Sequence, residues 1–374
     1  MVQSTAWALR QLEVEKSGLA GRLHSLHLII QARFPAISRI ALALYDPLSD
    51  TLKTFASSND DGEALKRYEA LLKDVPSLLQ LKQERKARVV PDIDAAFATP
   101  SAHTAWLRTQ GYRSSYTLPI FNRTELAAFL FFDAKQPEAF GAEVTAFLDL
   151  FADIVGQLYL LRLAAVNTLV GAVDIATGLA RIRDVETGRH LERMAAYARL
   201  IAKSLPASLG LSDEQIEYVH LFAPLHDIGK VGIPDSILLK PGKLDAEEWR
   251  HMQRHVEIGL KLVDHIIDDL GLRGDPVAQV MREVVGGHHE RGDGSGYPQG
   301  LAMAQIPLVA RIIAVADVYD ALSTPRPYKP AWDDASSLQE LQREVSLGRL
   351  DADCVRALSE AGAQRAEIRQ RLAD

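Results

Sequence analysis

Cysteine is almost missing from this chain. Cys354 is the sole thiol in 374 residues, which excludes an internal disulfide, a thiolate zinc site and an iron–sulfur cage. That scarcity fits a reducing cytoplasm. There is no run of about 18 apolar residues, so no membrane span is expected. The stretch Met1 to Arg22 is interrupted by Arg10, Glu13, Glu15 and Lys16, so it lacks the apolar core of a secretory signal. Excess positive charge is lacking too. The net charge of −7 gives no general affinity for nucleic acid or anionic lipid. An anionic ligand must therefore be met by a local group of cations or metal. What remains is 47% hydrophobic and 24% charged, the profile of a globular chain long enough for two domains.

The first part of the chain mixes strands and helices. Leu19, Leu23, Leu26 and Ile30 recur at helical spacing and predict a helix from residue 1 to about 33. Ile37 to Tyr45 and Thr51 to Ala56 flank the turn Asp46-Pro47-Leu48-Ser49-Asp50 and predict a hairpin. Residues 63–84 read as helix and Val89-Val90 as a short strand. Ser114 to Phe121 and Glu125 to Asp133 read as a second hairpin, and a long helix begins near Gly141. This order resembles the GAF sensor fold over roughly residues 15–160. That resemblance implies an antiparallel sheet flanked by helices and an unidentified small-molecule ligand: a cyclic nucleotide, a haem or a tetrapyrrole. His24, His27 and His103 are the imidazoles available to a haem, although hydrogen-bonded histidines are the more common case. Dimerisation alone is an equal alternative.

On the long helix, Phe147, Phe151, Ile154, Leu158, Leu161 and Ala165 alternate spacings of four and three, a heptad seam. Two readings stand level: a parallel two-chain coiled coil, or a stripe packed on its own domain. From Asp184 to about Ser346 the chain reads as nearly all helix, broken by Gly- and Pro-rich loops. Ser336 to Asp374 reads as charged structural helices.

The chemistry-bearing residues fall in this second part. Glu186 and His190 stand four apart, on one helix face. His226-Asp227 ends the apolar stretch Leu221 to Leu225. His255 follows, then His288-His289-Glu290 after Val284-Val285-Gly286-Gly287. Asp317 lies in a segment that is otherwise apolar apart from Asp320. A single buried histidine is usually a core residue. Several imidazoles and carboxylates emerging from apolar helices are costly to bury unless they are satisfied together, and a metal does this most simply. Imidazole and carboxylate without thiolate suit iron, manganese, zinc or nickel.

His226-Asp227-Ile228-Gly229-Lys230 resembles the signature of the HD phosphohydrolase superfamily. His288-His289-Glu290, Asp293-Gly294-Ser295-Gly296-Tyr297-Pro298, Ile306-Pro307-Leu308, Ala316-Asp317-Val318-Tyr319-Asp320-Ala321-Leu322 and Arg326-Pro327-Tyr328-Lys329 resemble its HD-GYP subgroup. The resemblance runs from about 180 to 332. It implies an all-α HD-GYP domain over residues 181–374, joined by a connecting helix at 161–180 to the α+β GAF-like domain at 1–160. It also implies hydrolysis of cyclic di-GMP to linear pGpG and onward to GMP.

By the same resemblance, His190, His226, Asp227 and Asp317 hold one metal. Asp227 bridges to a second, held with His255, His288 and His289. Glu186 belongs with a third metal. Two or three divalent ions are therefore expected, iron first and manganese next. Paired metals activate water and clamp phosphate oxygens. Asp227 and Lys230 are the expected catalytic residues, with Lys230 neutralising phosphate charge. Lys230, Tyr297, Arg326 and Lys329 are the expected substrate contacts.

Gly292 departs from the subgroup, which often has an aromatic residue there. His251 shares a helix face with His255 but is expected to face solvent, and His220 and His265 have no motif support. Expected partners are a second copy of the chain, through the GAF-like domain and the connecting helix, and diguanylate cyclase domains at the Gly-rich loop. Two alternatives share the motifs: a phosphodiesterase for another cyclic dinucleotide such as cyclic GMP–AMP, and a non-catalytic cyclic di-GMP adaptor. The His-His-Glu and Gly-Tyr-Pro segments argue against a dNTP or guanosine-tetraphosphate hydrolase.

Overall fold

The computed structural model describes residues 19–373 apart from 48, 62–63, 98–100, 182–187 and 326–330. Glu186, Arg326 and Lys329 lie outside the described residues. The chain divides into two compact units. One runs through Val166 and takes in Ser212–Glu214; the other comprises Asn167–Leu211 and Gln215–Asp374. The division falls inside a single helix, Ala142–Arg181.

The first unit is built on a six-stranded antiparallel sheet. Its strands are β1 (Ile37–Asp46), β2 (Thr51–Asn59), β3 (Glu69–Leu71), β4 (Arg88–Val90), β5 (Ser114–Asn122) and β6 (Glu125–Ala134), in the order β3-β2-β1-β6-β5-β4. Side chains alternate between the two faces. Ile40 and Leu42 of β1 and Ala128, Leu130 and Phe132 of β6 join a core with Leu23, Leu26 and Ile30 of the helix Leu19–Arg33. The opposite face carries Ala41, Phe129 and Phe131 against Leu72, Leu78 and Leu81. Both hairpins and the short strand fall where the sequence places them.

Residues 63–84 depart from the expected helix. Glu69–Leu71 pairs with Thr51–Lys53 as an edge strand, and only Pro76–Glu84 is α-helical. Pro76 explains the start, because a missing N–H does no harm in a first helical turn. The expected N-terminal helix is present from Leu19, and its earlier part lies outside the described residues.

The stretch Ala142–Gly171 is long and apolar enough to cross a membrane by length and composition alone, with a mean hydropathy of 1.6. The expectation of no span counted only uninterrupted apolar runs. Leu148, Phe151, Ala152, Val155 and Tyr159 of this helix are committed to the core of the first unit. Ile154 and Leu161 of the expected seam are 39% and 67% exposed, and Leu150 is 60% exposed. The helix thus has one face packed on its own unit and one apolar face open.

The second unit is helical. Its main helices are Gly188–Ser204, Asp213–Phe222, Ala246–Gln253, His255–Asp269, Pro276–Gly287, Leu308–Ser323, Asp334–Ser346, Ala352–Glu360 and Gly362–Arg371. Leu308–Ser323 is apolar nearly all round, with Ile312, Ile313, Val315, Ala316 and Tyr319 buried, as befits a central helix. Pro307 stands at its N-cap.

Candidate metal centre

Five separate segments deliver the candidate ligands. His190 projects from the helix Gly188–Ser204 and Asp317 from the central helix Leu308–Ser323. His226 and Asp227 sit between two short 3-10 turns, Ala223–Leu225 and Ile228–Gly232. His255 opens the helix His255–Asp269. His288 caps the helix Pro276–Gly287, which Asp275 and Pro276 start. Close packing sets these segments in register. A Cβ on Gly229 would lie 1.8 Å from the His255 carbonyl oxygen, so only glycine lets the His226-Asp227 turn approach the start of the His255 helix.

The ligand atoms of Asp227, His255, His288 and His289 lie within 4.8 Å of one another, and so do those of His190, His226 and Asp317. Asp227 joins the two groups. Its Oδ2 lies 3.2 Å from His226 Nε2 and 2.8 Å from Lys230 Nζ. Its Oδ1 lies 3.3 Å from His255 Nε2 and 3.9 Å from His288 Nε2. The structure therefore brings together seven of the expected ligands, and the eighth, Glu186, lies outside the described residues.

Hydrogen bonds on the far side of each ring orient the imidazoles. Nδ1 of His226 lies 3.0 Å from the Ala223 carbonyl, Nδ1 of His255 2.7 Å from that of Met252, and Nδ1 of His288 2.9 Å from that of Val285. A carbonyl only accepts, so each Nδ1 is the protonated nitrogen and each Nε2 presents a lone pair. His190 Nδ1 is likewise held, 2.6 Å from Asp320 Oδ2.

Two consequences follow. The Nε2 atoms of His255 and His288 face each other at 3.5 Å with no proton between them. Asp227 Oδ1 is buried beside them and, among the described residues, accepts no hydrogen bond. Three electron-rich atoms converge on one point, an arrangement that a cation satisfies.

The electrostatics agree. Burial pushes the Asp227 carboxyl up, but Lys230 and His226 outweigh it and hold it well below the usual carboxylate range. Burial depresses His255 and His288, and lowers His289 to about 3. These rings are neutral at physiological pH, as metal ligands must be. The donor set of imidazole and carboxylate fits a divalent transition metal.

The Gly-rich loop is fastened over this site. Glu290, which is 2% exposed, accepts the Gln299 N–H at 2.7 Å and the Leu301 N–H at 2.9 Å. Asp293 takes the Ser295 N–H at 2.9 Å and pairs with Arg349 at 3.1 Å. Ser295 first and Arg349 after it hold the Asp293 carboxyl down at about 2. The loop lays Tyr297 on His289, ring centroids 4.6 Å apart, and the half-exposed Trp249 meets Tyr297 edge-on at 6.4 Å. Burial, with the Asp227 charge adding to it, raises the Tyr297 phenol. Gly292 has a packing reason in this chain. A Cβ there would lie 2.3 Å from Met303 Cε and 2.6 Å from the Gly348 carbonyl oxygen.

Five of the other histidines are engaged elsewhere. His27 lies 2.8 Å from Ser58 Oγ and 3.0 Å from the Ile37 carbonyl, so both ring nitrogens are taken. His24 lies 3.1 Å from the same Ser58. His103 stacks near Trp106 and Tyr68. His251 contacts the Glu247 carbonyl and His220 that of Ala195. Sequence reasoning assigned no role to Asp320, Arg193 or Glu290. The signal for the first two was present, since Asp320 follows Asp317 by three and Arg193 follows His190 by three, each pair on one helix face.

Residues 180–354 match the HD domain family model and residues 24–158 match the GAF domain model. The cyclic di-GMP phosphodiesterase response regulator of Xanthomonas campestris is 47% identical over 187 residues, 50% of this chain and 46% of that protein. A 3'3'-cGAMP-specific phosphodiesterase of Vibrio cholerae is 44% identical over 162 residues, 43% of this chain and 29% of its own. A cyclic di-GMP phosphodiesterase of Thermotoga maritima is 41% identical over 177 residues, 47% of this chain and 44% of that protein. The chain thus spans less than half the length of each of these relatives. An HD domain implies divalent metal binding, in keeping with the two histidine–aspartate clusters. The chain joins a GAF domain to a helical HD domain that carries both clusters.

Proposed function

We propose that the chain is a cytoplasmic, metal-dependent phosphodiesterase of the HD-GYP type. It hydrolyses cyclic di-GMP to linear pGpG, with GMP as a further product. Residues 1–160 form the regulatory domain, 161–180 the connecting helix and 181–374 the catalytic domain. The observation that carries this reading is the convergence at Asp227, whose two oxygens face different imidazole groups. A carboxylate so placed is shaped to span two cations.

His190, His226, Asp227 and Asp317 are assigned to one ion, and Asp227, His255, His288 and His289 to the second. Glu186 is assigned to a third. Iron is the first choice and manganese the next, as the nitrogen–oxygen donor set permits. When bound, the ions supply Lewis acidity toward both water and the phosphodiester. The chain's own residues do the rest. Lys230 holds its ammonium 2.8 Å from Asp227 Oδ2, where it can stabilise charge that develops on a phosphate oxygen. Tyr297 keeps His289 in place and walls one side of the site. Arg326 and Lys329 are assigned to the substrate's second phosphate or guanine, and the Gly-rich loop to contact with diguanylate cyclase domains.

A second reading, cyclic GMP–AMP as substrate, is favoured by the Vibrio relative named for that nucleotide. Metal-loaded protein offered both nucleotides separates the two. Faster turnover of cyclic di-GMP supports the first reading, and a preference for cyclic GMP–AMP supports the second. Asp227→Ala should abolish both. Binding without product under every metal would make the chain an adaptor and overturn the proposal.

The open face of the long helix, with Leu150, Ile154 and Leu161 exposed, is assigned to self-association. Leu161→Glu should shift sedimentation from dimer toward monomer, and an unchanged dimer would count against that assignment.

A further inference from the structure

Behind His190 lies a buried polar chain that the metal ligands alone do not explain. Asp320 is 1% exposed, Arg193 4% and His190 5%. Asp320 Oδ2 accepts from His190 Nδ1 at 2.6 Å, and its Oδ1 accepts from Arg193 Nε at 2.8 Å. Arg193 also donates to the Leu372 carbonyl at 3.0 Å, just past the end of the helix Gly362–Arg371.

The way the carboxylate is shared carries the inference. An arginine paired with a carboxylate usually takes both oxygens with its planar fork. Here the second guanidinium contact to Oδ2 is stretched to 3.5 Å, while that oxygen lies 2.6 Å from the imidazole. Asp320 is therefore turned toward His190, and Arg193 steadies it from behind. Fixing Nδ1–H in this way aims Nε2 at His226 and Asp317, its partners in the cluster. The other oriented imidazoles rely on neutral backbone carbonyls. His190 alone among these four uses a carboxylate, a stronger acceptor.

We infer that Asp320 and Arg193 are positioning residues that tune one metal of the pair, the one held by His190, His226 and Asp317. This rests on the metal reading proposed above. A carboxylate behind a ligating histidine raises its donor strength and holds its ring, and losing such a partner typically weakens metal binding about 10- to 100-fold. The effect should centre on that site, because the hydrogen bonds of Asp320 go to His190 and Arg193.

The test is equilibrium dialysis of the full chain against Mn²⁺, with metal analysis and electron paramagnetic resonance to count and couple the bound ions. Asp320→Asn keeps the side-chain volume and should lower affinity roughly 10- to 100-fold at one site, abolish the spin-coupled pair signal at limiting metal and leave the other site unchanged. The double variant Arg193→Met with Asp320→Asn removes both charges together, so that neither is stranded, and should show the same selective loss. Wild-type affinity at both sites in either folded variant overturns the inference. So does equal weakening of both sites, which would mark a purely structural ion pair. A wild-type chain that takes up neither Mn²⁺ nor, under anaerobic dialysis, Fe²⁺ overturns the metal reading itself, and this inference with it.

Discussion

Glu290 offers a direct test of how the Gly-rich loop is held over the site. Its carboxylate takes two backbone N–H groups, from Gln299 and Leu301, while 2% exposed. Glu290→Gln keeps the shape but turns one acceptor into an amide NH₂. That leaves one N–H facing a donor across a part-buried contact. One lost hydrogen bond to a charged group is worth about 1.5–3 kcal/mol, and about that much local stability should go. Glu290→Ala strands both donors and should cost more.

The loss should appear first in the loop rather than in the whole domain. Amide hydrogen exchange at Gln299 and Leu301 should accelerate by roughly 10- to 10²-fold, since about 1.4 kcal/mol corresponds to a factor of ten. Exchange in the central helix Leu308–Ser323 should change little. Tyr297 would then leave His289, and substrate affinity should fall before metal content does. Unchanged exchange at both amides in Glu290→Gln would refute the claim that this carboxylate fastens the loop.

Gly229→Ala should disrupt the centre without touching a ligand. The added Cβ would meet the His255 carbonyl at 1.8 Å and the Gly259 nitrogen at 2.5 Å, so backbone must move. A variant with full metal content and wild-type turnover would show the close approach to be dispensable. Lys230→Met should retain both metals by elemental analysis and slow turnover by roughly 10²-fold; an equal loss of metal and rate would instead make Lys230 a structural partner of Asp227. In the first unit, burial lowers His103 to about 3, with the Arg39 charge adding to it. The unfolded chain takes up a proton near pH 6.5 that the folded unit refuses. The neutral ring's contribution is therefore intact above pH 6.5 and is lost as pH falls toward 3. At pH 5 the loss is about 1–2 kcal/mol. Urea unfolding followed by tryptophan fluorescence, to which the neighbouring Trp106 contributes, should show this slope in the wild type and a flatter one in His103→Gln. Parallel slopes would refute it.

Local order along the chain is legible in the sequence. Apolar runs bounded by turn residues mark Ile37–Asp46 and Glu125–Ala134 as strands. The motif residues could be named because His226-Asp227, His288-His289 and Asp317 stand in segments too apolar for unpaired polar groups. The stretch 63–84 reads as helix, but only Pro76–Glu84 forms an α-helix. Pairing of Glu69–Leu71 with Thr51–Lys53 is a non-local choice that local propensity cannot register. The long helix carried one expected seam, and only packing separated its buried Phe151 from its exposed Leu161.

By itself, the sequence determined the donor chemistry of this protein and the order of its elements, because side-chain type and periodicity are local properties. Tertiary structure alone decided which nitrogen of each ring faces the centre, that the two oxygens of Asp227 point to different imidazoles, and that Asp320 backs His190 while Glu290 fastens the loop. Those contacts span up to 130 residues of chain, and they form only when packed helices bring distant segments within hydrogen-bonding distance.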